Sequence, residues 1–306
     1  FKTHIFTGPG TFEVTDAGNS GGSNTVDYLV VAGGGSAAGY YAGGGAGGFR
    51  LSNGYSNCAP TMSPLANPTG LPVSVASYPI TVGAGGTAGP PGGAGIGGYN
   101  GNNGSNSVFA GSSTITSAGG GFGAASGPTQ VGGNGGSGGA SAYYRPACGQ
   151  GQGNTPPVSP PQGNPAGRAS YANAGGGGGA GAAGSDGTIN GSWNTSPVPS
   201  STNVGGAGGV GSYIPDGYFG PTAPSYGDSG PVSNTRYFAG GGGGGVCTSQ
   251  PGPSGAGGAG GGADGKPNAG PFGSAQNGTA NTGGGGGGSG GGLGGSGIVI
   301  IRYKFQ

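Results

Sequence analysis

Glycine in this chain comes in unbroken blocks, and the blocks constrain the fold more than any other feature. Gly175 to Gly179, Gly240 to Gly245 and Gly283 to Gly288 contain nothing else. In all, 91 of the 306 residues are glycine, about four times the roughly 7 % of ordinary proteins. Collagen needs glycine at strictly every third position along the whole chain, so solid blocks exclude a triple helix. Charge-driven disorder is not expected either, because charged residues make up only 5 % of the sequence. The alternative to flexible coil is a packed array in which the glycines are structural. A glycine block can take the polyproline II form, with three residues per turn and no internal hydrogen bonds. Many such helices side by side can pair N–H with C=O across neighbours, which meets the demand that buried backbone groups be paired. A Cβ pointing at a neighbour would wedge the helices apart, hence the absence of large side chains from the blocks. Blocks at 33–35, 43–48, 83–98, 119–123, 132–139, 175–181, 205–209, 240–245, 255–263 and 283–295 alternate with loops.

Strand signal is confined to a few places. Thr3 to Thr7 and Thr11 to Thr15 flank the turn Gly8-Pro9-Gly10, and the second alternates apolar and polar residues, the period of a half-buried strand. Val26 to Ala32 reads as a more buried strand. Tyr78 to Val82, Ser107 to Phe109 and Ser113 to Thr116 follow, and Gly297 to Phe305 is the strongest of all. No stretch has helical periodicity, and glycine and proline suppress helix throughout. The expected fold is mainly β and irregular, without α-helix. The terminal strands (1–32 and 297–305), with 74–83 and 106–117, form a small sheet or sandwich base, and the polyglycine lattice is inserted between them. All of 1–306 is then one domain.

These pieces, in this order, resemble the glycine-rich domain of phage tail-fibre and receptor-binding proteins. The resemblance rests on Val26-Asp27-Tyr28-Leu29-Val30-Val31-Ala32-Gly33-Gly34-Gly35, on Gly43-Gly44-Gly45-Ala46-Gly47-Gly48-Phe49-Arg50, on Tyr78-Pro79-Ile80-Thr81-Val82-Gly83-Ala84-Gly85-Gly86, on Asn106 to Gly121 and on Gly295 to Tyr303. The loop from Asn53 to Val75 is longer and richer in proline than that pattern. The resemblance implies a virion-surface role at a fibre tip, with receptor specificity in the loops and other fibre subunits as partners, in a possible homotrimer. A similar module occurs in ectodomains of some animal receptor kinases, so fold alone does not fix the biology.

Little in the sequence points to chemistry. His4 is the only histidine and sits in a strand. The acids Glu13, Asp16, Asp27, Asp186, Asp216, Asp228 and Asp264 form no pair by sequence, whereas hydrolytic pairs need two carboxylates held close. Gly260 to Lys266 matches the start of a phosphate-binding loop, but Pro267 stands where Ser or Thr must hold magnesium. Three isolated cysteines and one histidine lack metal-ligand spacing. The chain is therefore expected to be no enzyme and to carry no cofactor or metal. A net charge of +1 argues against nucleic-acid binding, and no apolar run reaches the roughly 20 residues of a membrane span. Starting at Phe1, the chain is expected to be a processed product or part of a longer polypeptide. Cys58, Cys148 and Cys247 allow at most one intrachain disulfide, and the pairing is open. Four N-x-Ser/Thr triplets, at Asn103, Asn190, Asn194 and Asn277, fall within what chance supplies.

The loops carry more information. Tyr40-Tyr41, Tyr143, Tyr144, Arg145, Tyr171, Trp193, Tyr213, Tyr218, Phe219, Tyr226, Tyr237 and Phe238 stand among Asn and Ser. Rigid aromatic area with adaptable hydrogen bonding is the make-up of recognition loops, and sugars stack on aromatic rings. The plain alternative is that these rings cap the open ends of the lattice. The leading expectation is a receptor-binding domain recognising a host cell-surface glycan or outer-membrane component, located on a virion surface or otherwise extracellular. The rival is a structural subunit of an extracellular or cell-surface filament, with the same loops making subunit contacts.

Overall fold

A computed structural model describes residues 1–18, 23–55, 62–89, 99–111, 113–126, 130–142, 149–170, 173–189, 203–218, 220, 226–246, 252–266 and 276–304. Among these the regular elements are all strands, and there is no α-helix. In chain order they are β1 (Lys2–Phe6), β2 (Gly10–Val14), β3 (Thr25–Val31), β4 (Phe49–Ser52), β5 (Ala66–Asn67), β6 (Leu71–Pro72), β7 (Ala76–Thr81), β8 (Ser107–Phe109), β9 (Ile115–Ser117), β10 (Thr188–Ile189), β11 (Asn203–Val204), β12 (Ser212–Pro215), β13 (Thr235–Phe238) and β14 (Ile298–Tyr303).

The two ends of the chain meet. β14 lies antiparallel between β1 and β3, with Lys2 opposite Tyr303 and Ile298 opposite Val31. β4 and β5 extend this sheet in the order β1-β14-β3-β4-β5, and β6 pairs with the start of β3. A second sheet has the order β2-β7-β8-β9. The first sheet is buried on both faces, so β3 and β14 read as continuous apolar runs, and alternate residues serve opposite sides. Val26, Tyr28, Val30, Val299 and Ile301 pack against Phe12, Val14, Tyr78, Ile80 and Phe109 of the second sheet. Leu29, Val31, Ile298 and Ile300 face the other way, onto Phe49, Leu51, Ile214, Tyr218 and Phe238. Most of these side chains are fully buried, and each contributes about 1.5–3 kcal/mol of apolar transfer.

Beyond Val31 the interior changes character. Successive residues of a glycine block donate to three different neighbouring segments, and the pattern repeats every third residue. Gly33 and Ser36 donate to Ser105 and Asn102; Gly34 and Ala37 to Gly295 and Gly292; Gly35 and Ala38 to Gly45 and Ala42. That is the three-residue turn of polyproline II, seen through its hydrogen bonds. Gly240 to Gly245 is fully enclosed. It donates to 260–263, 206–209 and 41–44, and it accepts from 174–177, 255–258 and 285–288. Neighbours run in either direction: 205, 208 and 211 pair with 253, 256 and 259 in parallel, while 174, 177 and 180 pair antiparallel with 245, 242 and 239. A Cβ built on Gly242 would collide with the Gly286 carbonyl, and one on Gly177 with the Gly44 carbonyl. The backbones themselves are therefore the packing surfaces.

At its margin the lattice substitutes side chains for missing neighbours. Asn106, Asn103 and Asn100, three residues apart, accept through Oδ1 from the backbone N–H groups of Gly119, Phe122 and Ala125 at 2.8–2.9 Å. Asn134, Asp264 and Asn277 do the same for Gln152, Gly257 and Leu293. Each carboxamide or carboxyl oxygen stands where a neighbouring carbonyl would otherwise be.

Candidate recognition surface

The direction of the blocks sorts the loops into two groups. From β3 the block 33–38 runs away from the sandwich, turns at 39–42, and returns along 43–48 to β4. Five to six residues at about 3.1 Å each put the turn nearly 20 Å beyond the sheet, at what is here called the far end. Hydrogen bonds identify what else lies there. Gly39 N–H donates to the Tyr99 carbonyl, Gly245 to Tyr41, Ala140 to Gly43 and Gly290 to Gly39. Asn100 Nδ2 donates to Gln130 Oε1. Ser170 N–H donates to Asn173, which bridges to Val246 and whose Nδ2 reaches the Thr188 carbonyl and Asn203 Oδ1. Lys266 donates to Gly288, and Gly287 to Gln276. The described flanks 89/99, 126/130, 142/149, 170/173, 189/203, 246/252 and 266/276 thus all sit at the far end. Lys2 and Tyr303, by contrast, are paired at the opposite extreme, where β14 runs out of the sandwich.

Ala38, Tyr41, Ala42, Ala125, Ala140, Ala142, Ala166 and Ala174 form a small apolar cluster under the far end, with Tyr40 packed against it. Tyr41 is buried and has φ 46°, a left-handed backbone that is an outlier for a bulky residue. The Ala42 N–H donates back to the Tyr40 carbonyl at 2.6 Å, so the reversal is made within three residues.

The aromatic candidates divide between the two ends. Tyr143, Tyr144, Arg145, Tyr171 and Trp193 lie outside the described residues, but the flanks of all five are at the far end. Phe219, Cys58, Cys148 and Cys247 also lie outside them. The neighbours of Cys148 and Cys247, Gly149 and Val246, belong to the far end, whereas Cys58 falls between Tyr55 and Met62 at the sandwich.

Tyr213, Tyr218, Tyr226, Tyr237 and Phe238 all belong to the sandwich end. Tyr218, Tyr237 and Phe238 are 3 %, 3 % and 0 % exposed, which corrects the expectation that they are loop residues open to a ligand. The reason is a hairpin: β12 and β13 pair antiparallel, with Tyr213 opposite Tyr237 and their rings 5.2 Å apart. Ile214, Tyr218 and Phe238 then enter the core, with half-buried Tyr226 packed on it.

Tyr218 also closes a buried polar cluster. Its hydroxyl has Asp27 Oδ2 at 3.0 Å and Asn53 Oδ1 at 2.8 Å within reach of its single donor hydrogen. Ser52 Oγ and the Gly54 N–H donate to Asp27 Oδ1. Arg302, opposite Asp27 in the ladder, holds its guanidinium 4.4 Å from the Tyr218 ring centre and 3.7 Å from that of Phe1. Burial, and then the adjacent Asp27, push the Tyr218 phenol far above its ordinary value. His4 lies on the outer strand, stacked on Tyr303 with ring centres 5.7 Å apart. Burial and Lys2 hold its pKa below 6.5. Among the described residues no three His, Cys, Asp or Glu side chains gather as a metal site, and no helix is long and apolar enough to cross a membrane.

Comparison with known families adds one match. A glycine-rich domain model covers residues 7–304. The chain belongs to the glycine-rich domain family. No curated protein sequence matches it. The family match takes in strands β2 to β14 and every block of the lattice, so the glycine-rich domain spans both regions.

Proposed function

We propose that this glycine-rich domain is a receptor-binding module of a phage tail fibre, displayed on the virion surface, with the far end as its recognition face. In this reading the sandwich is the base, and the loops carrying Tyr143, Tyr144, Arg145, Tyr171 and Trp193 recognise a host cell-surface glycan or outer-membrane component. One observation carries it. The paired terminal strands and the flanks of seven loops lie at opposite ends, the layout of a module held at one end and presenting loops at the other. Resemblance adds the fibre context, other fibre subunits and a possible homotrimer. Composition supports the ligand class: these loops are rich in Tyr, Asn, Ser and Gly and poor in charge. Tyr218, Tyr237 and Phe238 drop out of the recognition set because they are core.

Single replacements Tyr143→Ala, Tyr144→Ala and Trp193→Ala test the reading, with binding to host cells or glycans and melting temperature measured separately. At least one should weaken binding by more than about 1 kcal/mol while the melting temperature holds. Unchanged binding with failed assembly of particles or filaments would instead favour the rival reading, a filament subunit whose loops join copies of itself.

A further inference from the structure

We propose that Tyr99 and Tyr40, with the carboxamide of Gln130, form a stacking subsite for a neutral saccharide ring on the far end. The proposal rests on the recognition reading above and deepens it by naming a subsite outside the loops already considered. Tyr99 is 48 % exposed, one of six large apolar side chains left exposed among the described residues. Its backbone is placed by the Tyr99 carbonyl, which accepts from Gly39 N–H at 3.3 Å, next to the turn that carries Tyr40. Tyr40 is half-buried, its ring 5.6 Å from that of Tyr41 in an edge-on arrangement. The left-handed Tyr41 anchors it from below, with its carbonyl held by Gly245 N–H. Backbone outliers of this kind persist where the surrounding structure over-determines them, and they cluster at ligand sites.

The polar side of the subsite comes from Asn100 and Gln130. Asn100 Oδ1 accepts from Ala125 N–H at 2.8 Å, and Asn100 Nδ2 donates to Gln130 Oε1 at 3.2 Å. That pair fixes the Gln130 amide and turns its Nε2 donors away from Asn100. Among the described residues neither Gln130 Nε2 nor the hydroxyls of Tyr40 and Tyr99 has a hydrogen-bond partner. Accessible rings with unspent donors and no ionised group among these residues match the chemistry of a neutral sugar: an apolar face to stack and hydroxyls to accept and donate. Lys266 also belongs to the far end, with its carbonyl beside Gly245. A sialylated ligand is therefore the contrasting arm of the test.

The whole chain, and its Tyr99→Ala, Tyr99→Phe, Tyr40→Ala, Gln130→Ala and Trp193→Ala forms, are measured against immobilised hexose-terminated neutral oligosaccharides and their sialylated counterparts. Melting temperature is recorded for each. The expected result is binding of a neutral oligosaccharide by the parent, lost at least tenfold in Tyr99→Ala, kept within threefold in Tyr99→Phe, and weakened in Tyr40→Ala and Gln130→Ala at unchanged melting temperature. If the parent binds and Tyr99→Ala and Tyr40→Ala bind within twofold of it, the subsite is wrong while the recognition reading stands. Binding confined to sialylated ligands overturns the neutral class. Absence of all saccharide binding by the parent removes glycan recognition itself, and the subsite with it.

Discussion

The glycine-rich domain has two interiors, built on different rules. In the sandwich, side chains fill the space with a period of two, and the backbone hydrogen bonds run within sheets. In the lattice, backbones fill the space with a period of three, and side chains are what must be kept out. Volume is forgiving in the first, because neighbouring side chains can shift by tenths of an ångström. It is unforgiving in the second, where the facing group is a carbonyl held by its own hydrogen bond. The comparison teaches that burial by itself does not predict tolerance; what lies opposite does.

The sharpest way to break this comparison is a single Cβ in the lattice. Gly242→Val would drive a branched side chain into the Gly286 carbonyl in a block enclosed by six hydrogen-bonded segments. We expect no folded domain, read as loss of soluble protein and of any cooperative melt. A melt matching the parent would show that the blocks are linkers. A core deletion in the sandwich should be milder. Phe109→Ala empties a fully buried site between Phe12 and Tyr78 and should cost about 3–5 kcal/mol in denaturant unfolding, with the fold retained.

Next in size is Tyr218→Phe, which strips the hydroxyl from Asp27 and Asn53. Hydrogen bonds to charged groups are worth about 1.5–3 kcal/mol, so a loss of that order is expected. It carries a pH signature. The folded protein holds the phenol protonated well above its ordinary 10.0, so above pH 10 the unfolded chain binds fewer protons than the native one. Stability should therefore be fully present below pH 10 and fall as pH rises past it. Tyr218→Phe should flatten that alkaline fall, which unfolding curves at pH 8 and pH 11 would show. The smallest effect belongs to the margin of the lattice. Asn103→Ala leaves the Phe122 N–H to water at an exposed edge, for about 0.5–1.5 kcal/mol, visible as a shift in melting temperature. A larger loss would mean that the asparagine row holds the lattice together rather than trimming its edge.

The terminal strands could be read from the sequence because their apolar runs are long enough to show a strand period, and their shared β-branched and aromatic make-up pointed to their pairing. The β12–β13 hairpin could not. Ser-Tyr-Ile-Pro and Thr-Arg-Tyr-Phe are four residues each, set among Pro, Asn and Gly, so Tyr237 and Phe238 looked like loop aromatics until the register put them inside. The Asn100-Asn103-Asn106 spacing stands in the sequence, yet it acquires meaning only once the period of three is known to be structural. Tyr99 gave no signal at all. Its exposure follows from where a neighbouring block ends, a property of the whole lattice and of no single segment.

The necks of the loops have a consequence for how such a domain diversifies. Ile189 and Asn203 pair across the segment 190–202, Ser170 closes on Asn173, and Asn173 ties that neck to Val246. These two excursions are thus sealed where they leave the frame. Because the blocks accept neighbours running in either direction, the frame does not dictate what happens beyond a seal. Doubling the length of a sealed loop costs only about 0.6 kcal/mol in closure entropy, so insertions, deletions and exchanges of whole loops are close to neutral for folding. Selection is then free to rewrite one end of the molecule rapidly, while the other changes slowly.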